Sequence, residues 1–209
     1  MAPAHYYALG AMMTETEKSA DGASIRSALR LWLINDVTGH RDALLIDELA
    51  LCRGSVRADL AVVNGLLHGY EIKSDRDSLR RLAGQADVYS QVFERMTLVV
   101  GDRYAHSAAA VVPDWWGLVR VSRSRDGVLE FDELRAAEQN PGLNPRALVE
   151  LLWSEQALAL LESRKAARGV KGKPRRVLWD RICREFGIEE IAEAVRDGLK
   201  AREASQSPA

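Results

Sequence analysis

The sequence predicts an α/β protein: a mixed sheet with flanking helices, followed by a C-terminal helical extension. Three observations predict it. Apolar residues recur at helical spacing near the start and again beyond residue 145. Between these stretches the period shortens to β-rich runs punctuated by Asn64-Gly65 and Asp126-Gly127. The resulting order is helix, strands, helix, strand and then a helical tail, the alternation expected of an α/β domain.

Each element has its own signal. Ile25, Leu29, Trp32 and Leu33 follow a Ser/Asp-rich start at helical spacing, and residues 41–52 repeat that pattern, predicting two helices. Residues 56–63 and 66–73 are β-rich and flank Asn64-Gly65, which predicts a hairpin. Asp75 or Asp77 is placed to cap a helix running to about residue 94, and residues 96–100 form a short apolar strand ending at Gly101. A helix over 104–112 stops before Pro113, and residues 117–121 and 128–131 form a second hairpin. Asn140-Pro141-Gly142 reads as a linker, beyond which helices are expected over 146–167, 175–186 and 188–202. The domain plan is a flexible segment 1–20, an α/β core 21–139, a helical extension 140–203 with a basic loop, and a disordered tail 204–209.

Bulk properties narrow the function. The chain of 209 residues has a net charge of −1, so a nucleic-acid surface must come from local clustering of charge. Cys52 and Cys183 lie far apart without metal-type spacing, which predicts free thiols in a reducing compartment. The first twenty residues lack the pattern of a secretory signal, and no apolar run reaches membrane-spanning length; a cytoplasmic protein is expected. His5, His40, His68 and His106 show no zinc-ligand spacing, and there is no glycine-rich phosphate loop.

The chemistry concentrates on the second strand of the first hairpin. Glu71 and Lys73, two residues apart, project from one face while Ile72 points the other way. Alone, Glu-x-Lys more often marks a surface ion pair. Here Asp59 stands across the hairpin, and two converging carboxylates repel unless a cation lies between them. Lysine is also scarce: six of the 29 basic residues are lysine, and only lysine can lose its proton or hold a water as a compact donor. The flanking residues Leu60, Val62, Val63, Leu66, Leu67 and Ile72 are apolar, so these charges emerge from a buried sheet and require partners.

Asp59 followed twelve residues later by Glu71-Ile72-Lys73 resembles the PD-(D/E)XK nuclease superfamily, with Ala58 where a proline is usual. The resemblance covers about half the chain, from Glu48 to about Val100, and is similar to an uncharacterised bacterial subgroup. It implies a restriction-endonuclease-like fold with an αβββαβ-type core, Mg²⁺ or Mn²⁺ held by Asp59, Glu71 and the Ile72 carbonyl, and Lys73 orienting or activating the attacking water. The opening helix of such a core often supplies another acid, for which Glu48 is the candidate and Asp47 a weaker one; an ion pair from Glu48 to Arg53 or Arg57 is the alternative. Gln85 and Tyr89, at i and i+4, resemble the Gln-x-x-x-Tyr element of RecB-like members. A core-facing Tyr89 with Gln85 bonded to backbone is the alternative there.

A metal site constrains the hairpin. A regular two-residue loop at Asn64-Gly65 would put Asp59 on the face opposite Glu71, because a one-residue slip reverses every side chain. The site therefore requires an odd loop, with Gly65 left-handed and Asp59 paired to Gly69, or a bulge at Gly69.

Arg164, Lys165, Arg168, Lys171, Lys173, Arg175 and Arg176 form a run without an acid, suited to phosphate contacts or, more plainly, to a solvated loop. Trp115-Trp116 can stack on bases, though such pairs more often pack beneath a hairpin. The expected partner is nucleic acid, DNA before RNA, with no membrane; a homodimer is one expectation for a double-strand-cutting enzyme. Competing with the nuclease are a nuclease-fold protein that binds nucleic acid without cutting it, and an adaptor in which the three charges form an ion-pair network.

Overall fold

The computed structural model describes residues 20–37 and 43–206. The elements are α1 (Gly22–Val37), β1 (Leu44–Leu51), β2 (Val56–Asn64), β3 (Leu66–Lys73), α2 (Leu82–Tyr89), β4 (Arg95–Gly101), β5 (Gly117–Arg123), β6 (Leu129–Arg135), α3 (Pro145–Val149), α4 (Ser154–Ser163), α5 (Arg175–Glu185) and α6 (Ile188–Gln206). Six strands form one mixed sheet in sequence order. β1, β2 and β3 are antiparallel; β3, β4 and β5 are parallel; β6 closes the edge antiparallel to β5.

The two faces of the sheet bury separate cores. On one, Ile25, Leu29 and Leu33 of α1 pack against Leu60, Val62, Tyr70, Ile72, Val99 and Val121. The other packs Leu67, Met96, Leu98 and Val100 against Leu82, Ala86 and Tyr89 of α2 and against Leu148, Leu161, Trp179, Ile191 and Val195 of the C-terminal helices. The extension therefore shares the core of the sheet. Glu94 ties the two parts together: its carboxylate accepts from Leu67 N at 2.7 Å and pairs with Arg196 at 2.6 Å. The expected linker is a corner anchored by the buried Asn140, with Pro141 and Gly142 exposed. Asn140 donates from its side chain to the carbonyls of Ser90 (2.7 Å) and Phe93 (2.8 Å) and from its backbone N to Glu94 O (2.9 Å).

Several expectations need correction. The helix predicted over 41–52 is strand β1. Its apolar residues imitate helical spacing because the chain turns over midway: Leu44 and Ile46 pack toward the α2 side, and so do Leu49 and Leu51, a change of parity made at Glu48, whose φ is +53°. β2 makes the same change, with Ala61 and Val63 on the α2 side and then Ala58. The register steps from Asp47↔Leu60 to Leu49↔Ala58 across Glu48 and Asp59. Residues 38–42 lie outside the described residues. The helix expected over 104–112 is two short 3₁₀ turns, at Asp102–Tyr104 and Ala108–Ala110. The helix expected from 146 to 167 is divided into α3 and α4, because Trp153 is extended at ψ 162°. After β3 the cap is Ser78, whose hydroxyl accepts from Arg80 N at 3.2 Å; Asp77 instead accepts from Ser74 N at 2.8 Å and Ser74 Oγ at 2.6 Å.

Candidate active site

The β2–β3 hairpin has an odd connection, as expected, but the two carboxylates are held from opposite faces: Asp59 accepts from Arg26 of α1, and Glu71 accepts from Gln85 and bonds to Tyr89 of α2. Asn64 pairs with Leu66 and Leu60 with Tyr70, and Gly65 bridges them at φ +72°, a conformation that favours glycine. The register differs by one step on each strand from the expected pairing with Gly69: continued past Leu60↔Tyr70, it sets Asp59 opposite Glu71. There the strands part, and the Asp59 carboxylate takes the place of a ladder carbonyl, accepting from Ile72 N at 2.8 Å.

Glu71 and Lys73 are 2% and 7% exposed, a buried acid and base on the α2 side of the sheet. They form an ion pair with each other. The other donors to Glu71 come from α2: Gln85 Nε2 donates to Oε1 at 2.8 Å, and the Tyr89 hydroxyl lies 2.7 Å from Oε2. The same hydroxyl is 2.7 Å from the carbonyl of Arg57, so its single proton serves strand or carboxylate in turn. Gln85 and Tyr89 thus meet at Glu71, as an i, i+4 pair on one helix face can. Gln85 Oε1 is a buried acceptor with no partner among the described residues.

Electrostatics follow from this burial. Removal from water raises the Glu71 pKa; Lys73 opposes the rise and Asp59 adds to it. Burial, and then the Glu71 carboxylate, push the Tyr89 hydroxyl well above its ordinary range, so it stays protonated and donates. On the opposite face of β3, His68 contacts Thr97 Oγ1 at 2.8 Å and stacks on Tyr70; burial, with Arg95 nearby, lowers its pKa to about 3.

Glu48 lies on a strand instead of the expected helix, and it is ion-paired to Arg57 at 2.6 Å, one of the two alternatives the sequence allowed. Glu48 has a second partner, from α1. Arg26 of α1 reaches Glu48 Oε1 with Nη1 at 2.7 Å and Asp59 Oδ1 with Nη2 at 2.5 Å. One turn further on, Arg30 pairs with Asp47. The signal for Arg26 was present in the sequence, as arginines at i and i+4 beside the buried positions Ile25 and Leu29, but on an amphipathic helix it reads as ordinary solvent-facing charge.

Lys73 also borders an open depression shared with Asp77, Ser78, Arg80 and Arg81. The predicted basic run divides. Arg164 pairs with Glu190 and covers Phe186, Lys171 pairs with Glu162 at 2.5 Å, and Arg175 lies over Trp179, 5.4 Å from the ring centroid. Lys165, Arg168, Lys173 and Arg176 are exposed without an ion-pair partner among the described residues. Trp179 also carries Arg146 at 5.0 Å and Arg53, from the β1–β2 connection, at 6.0 Å. The basic segment is therefore joined to the end of the sheet that bears Asp59. Trp116 is fully buried and Trp115 packs against the same core, so this pair is structural.

Residues 16–208 match the family described as bacteriophage P4 protein cII. The chain belongs to this family. Protein cII of Enterobacteria phage P4 is 38% identical over 87 residues, 42% of this chain and 33% of that protein. The matched stretch thus spans about a third of the length of this curated relative. No solved structure matches. Among the described residues no helix is long and apolar enough to cross a membrane.

Proposed function

We propose that this cII-family protein is a metal-dependent nuclease, hydrolysing phosphodiester bonds in nucleic acid, DNA before RNA. The observation that carries the proposal is the buried Glu71–Lys73 pair, with Gln85 and Tyr89 bonded to Glu71 and the Asp59 carboxylate accepting from the intervening Ile72 N. A buried acid–base pair that served stability alone would gain little over apolar packing, since removing two charges from water offsets much of their attraction. The restriction-endonuclease-like fold is part of the same proposal.

The donors suit a hard cation. Asp59 and Glu71 offer carboxylate oxygens and Ile72 its carbonyl, and Mg²⁺ or Mn²⁺ accepts one or two carboxylates with water completing the shell. Among the described residues no cluster of three or more His, Cys, Asp or Glu side chains forms a cation site, so an ion would have to take Asp59 and Glu71 oxygens from their protein donors. Bound there, the ion would supply Lewis acidity toward the scissile phosphate and lower the pKa of its water. Lys73 would hold the attacking water and stabilise charge developing on the phosphate. Tyr89 and Gln85 would fix the Glu71 carboxylate. Arg80 and Arg81, at the mouth beside Lys73, and the strip from Arg53 through Trp179 and Arg175 to Arg176 would take backbone phosphates, giving affinity that falls steeply with salt.

A second reading has its own observation. Both Asp59 oxygens and both Glu71 oxygens already accept from protein donors, as in a nuclease-fold scaffold that binds nucleic acid without cutting it. Incubating the purified protein with plasmid, linear and single-stranded DNA and with RNA, in Mg²⁺, Mn²⁺ or EDTA, separates the two. Metal-dependent cleavage that EDTA abolishes is expected. Salt-sensitive binding without cleavage on any substrate would establish the second reading, and neither binding nor cleavage would leave an adaptor.

A further inference from the structure

We infer that the cations gathered on the buried ring of Trp179 are a preformed site for the backbone of double-stranded nucleic acid, blind to sequence and separate from the Glu71–Lys73 centre. This deepens the nucleic-acid reading above, on which it rests, and holds whether or not the centre cuts.

Three elements assemble the site. Trp179 of α5 is 3% exposed, and the guanidiniums of Arg53 in the β1–β2 connection, Arg146 of α3 and Arg175 of α5 lie 6.0, 5.0 and 5.4 Å from its ring centroid. Carboxylate partners are few. Arg146 takes Asp180 at 2.9 Å and Glu150 at 3.4 Å, while Arg53 approaches Glu150 only to 3.7 Å, its side chain 66% exposed. Arg175 has no ion pair among the described residues, nor have its exposed neighbours Lys173 and Arg176. α5 also begins without a side-chain cap or an acid in its first turn, so the helix dipole adds to the same positive field.

Like charges this close repel, and the indole face and two carboxylates offset that only in part. Arg146, held by both acids, steadies the cluster, and Arg53, Arg175, Arg176 and Lys173 are left exposed to take phosphate oxygens. Guanidinium forks match those oxygens, and arginines already ordered against a ring lose less freedom on binding. None of these side chains bonds to Glu71 or Lys73, whose partners come from β3 and α2.

The form of the nucleic acid follows from the aromatic rings. Unstacked bases of a single strand need open ring faces. Here Trp179 is covered by arginines and Phe186 by Arg164, 4.6 Å from its centroid. Of the exposed tryptophans, Trp32 lies on α1 against Phe131, and Trp153 lies under Arg202 at 4.6 Å. A surface of cations without stacking platforms favours the strand pair, where phosphates are denser, and phosphate contacts carry no sequence information.

Fluorescence anisotropy of labelled duplex and single-stranded DNA, with the full chain in EDTA so that nothing is cut, tests this. Wild type is expected to bind duplex more tightly than single strand, equally across sequences and less as salt rises. The double variant Arg53→Ala, Arg175→Ala is expected to bind duplex about tenfold more weakly and with a shallower salt slope. Arg53→Gln with Arg175→Gln repeats the test if alanine disturbs the fold. Arg95→Ala removes a charge at the start of β4, at the other end of the sheet from Lys73, and is expected to bind as wild type does. Wild-type affinity in the double variants, an equal loss in Arg95→Ala, tighter binding of single strand or of poly-glutamate, or no binding of duplex would each overturn the inference. The nuclease reading stands or falls separately, on cleavage in Mn²⁺.

Discussion

The two sides of the site differ in how their charges are held. Toward α2, Glu71 and Lys73 are buried, and the carboxylate is fixed by Tyr89 and Gln85. Toward α1, Asp59 and Glu48 are bridged by Arg26 in contact with solvent. A buried pair cannot exchange partners without leaving a bare charge, whereas a solvent-facing bridge exchanges at little cost. The contrast separates a side whose geometry is fixed by burial from one whose charges are paired in contact with solvent.

The largest effect on stability should come from breaking the buried side. Lys73→Met leaves Glu71 uncompensated and is expected to cost about 3–5 kcal/mol by urea denaturation. The double variant Lys73→Met, Glu71→Gln should recover much of that loss; failure to recover would mean that packing, not charge, dominates there. Tyr89→Phe removes the one proton shared between Glu71 and the Arg57 carbonyl, with an expected loss of about 1–3 kcal/mol in the same assay.

The faces of β3 should also answer pH in opposite ways. His68 has its pKa lowered to about 3 by burial. The unfolded chain therefore binds the extra proton first, and the His68 contribution is complete above its ordinary value and lost as pH falls toward 3. Stability should fall by at most about 1.4 kcal/mol per pH unit over that window, a slope absent in His68→Phe. Glu71, raised by burial, works the other way: its contribution is present below the ordinary carboxylate pKa and is lost as pH rises through its raised value. The smallest effect belongs to the exposed side, where Glu48→Gln should change the urea midpoint little, and less still at high salt.

Much of this was legible in the sequence, for reasons that also explain what was not. The β2–β3 hairpin followed from Asn64-Gly65, and the odd connection from the chemical demand that Asp59 approach Glu71. That demand did not give the register, because a loop closed at Asn64↔Leu66 and one closed at Val62↔Leu66 are both odd. Strand and helix spacing put Glu71 with Lys73 and Gln85 with Tyr89, the nuclease resemblance singled them out, and the structure brings all four together. β1 was misread because Glu48, at φ +53°, switches the apolar face mid-strand, and a period-2 pattern with one reversal imitates a helix. The helix break at Trp153 was hidden by the unbroken apolar run Leu151-Leu152-Trp153. Arg26 was missed because its partners come from two strands distant in sequence, which no local pattern encodes.

The central claim, that Asp59, Glu71 and Lys73 form a phosphodiester-hydrolysing centre, is tested most directly by cleavage rates in saturating Mn²⁺. Wild type would be compared with Asp59→Ala and Lys73→Ala, each first confirmed to be folded. The account predicts cleavage by wild type and a loss of about a hundredfold or more in each variant. A wild type that cuts nothing, or a folded variant that cuts at the wild-type rate, would contradict it.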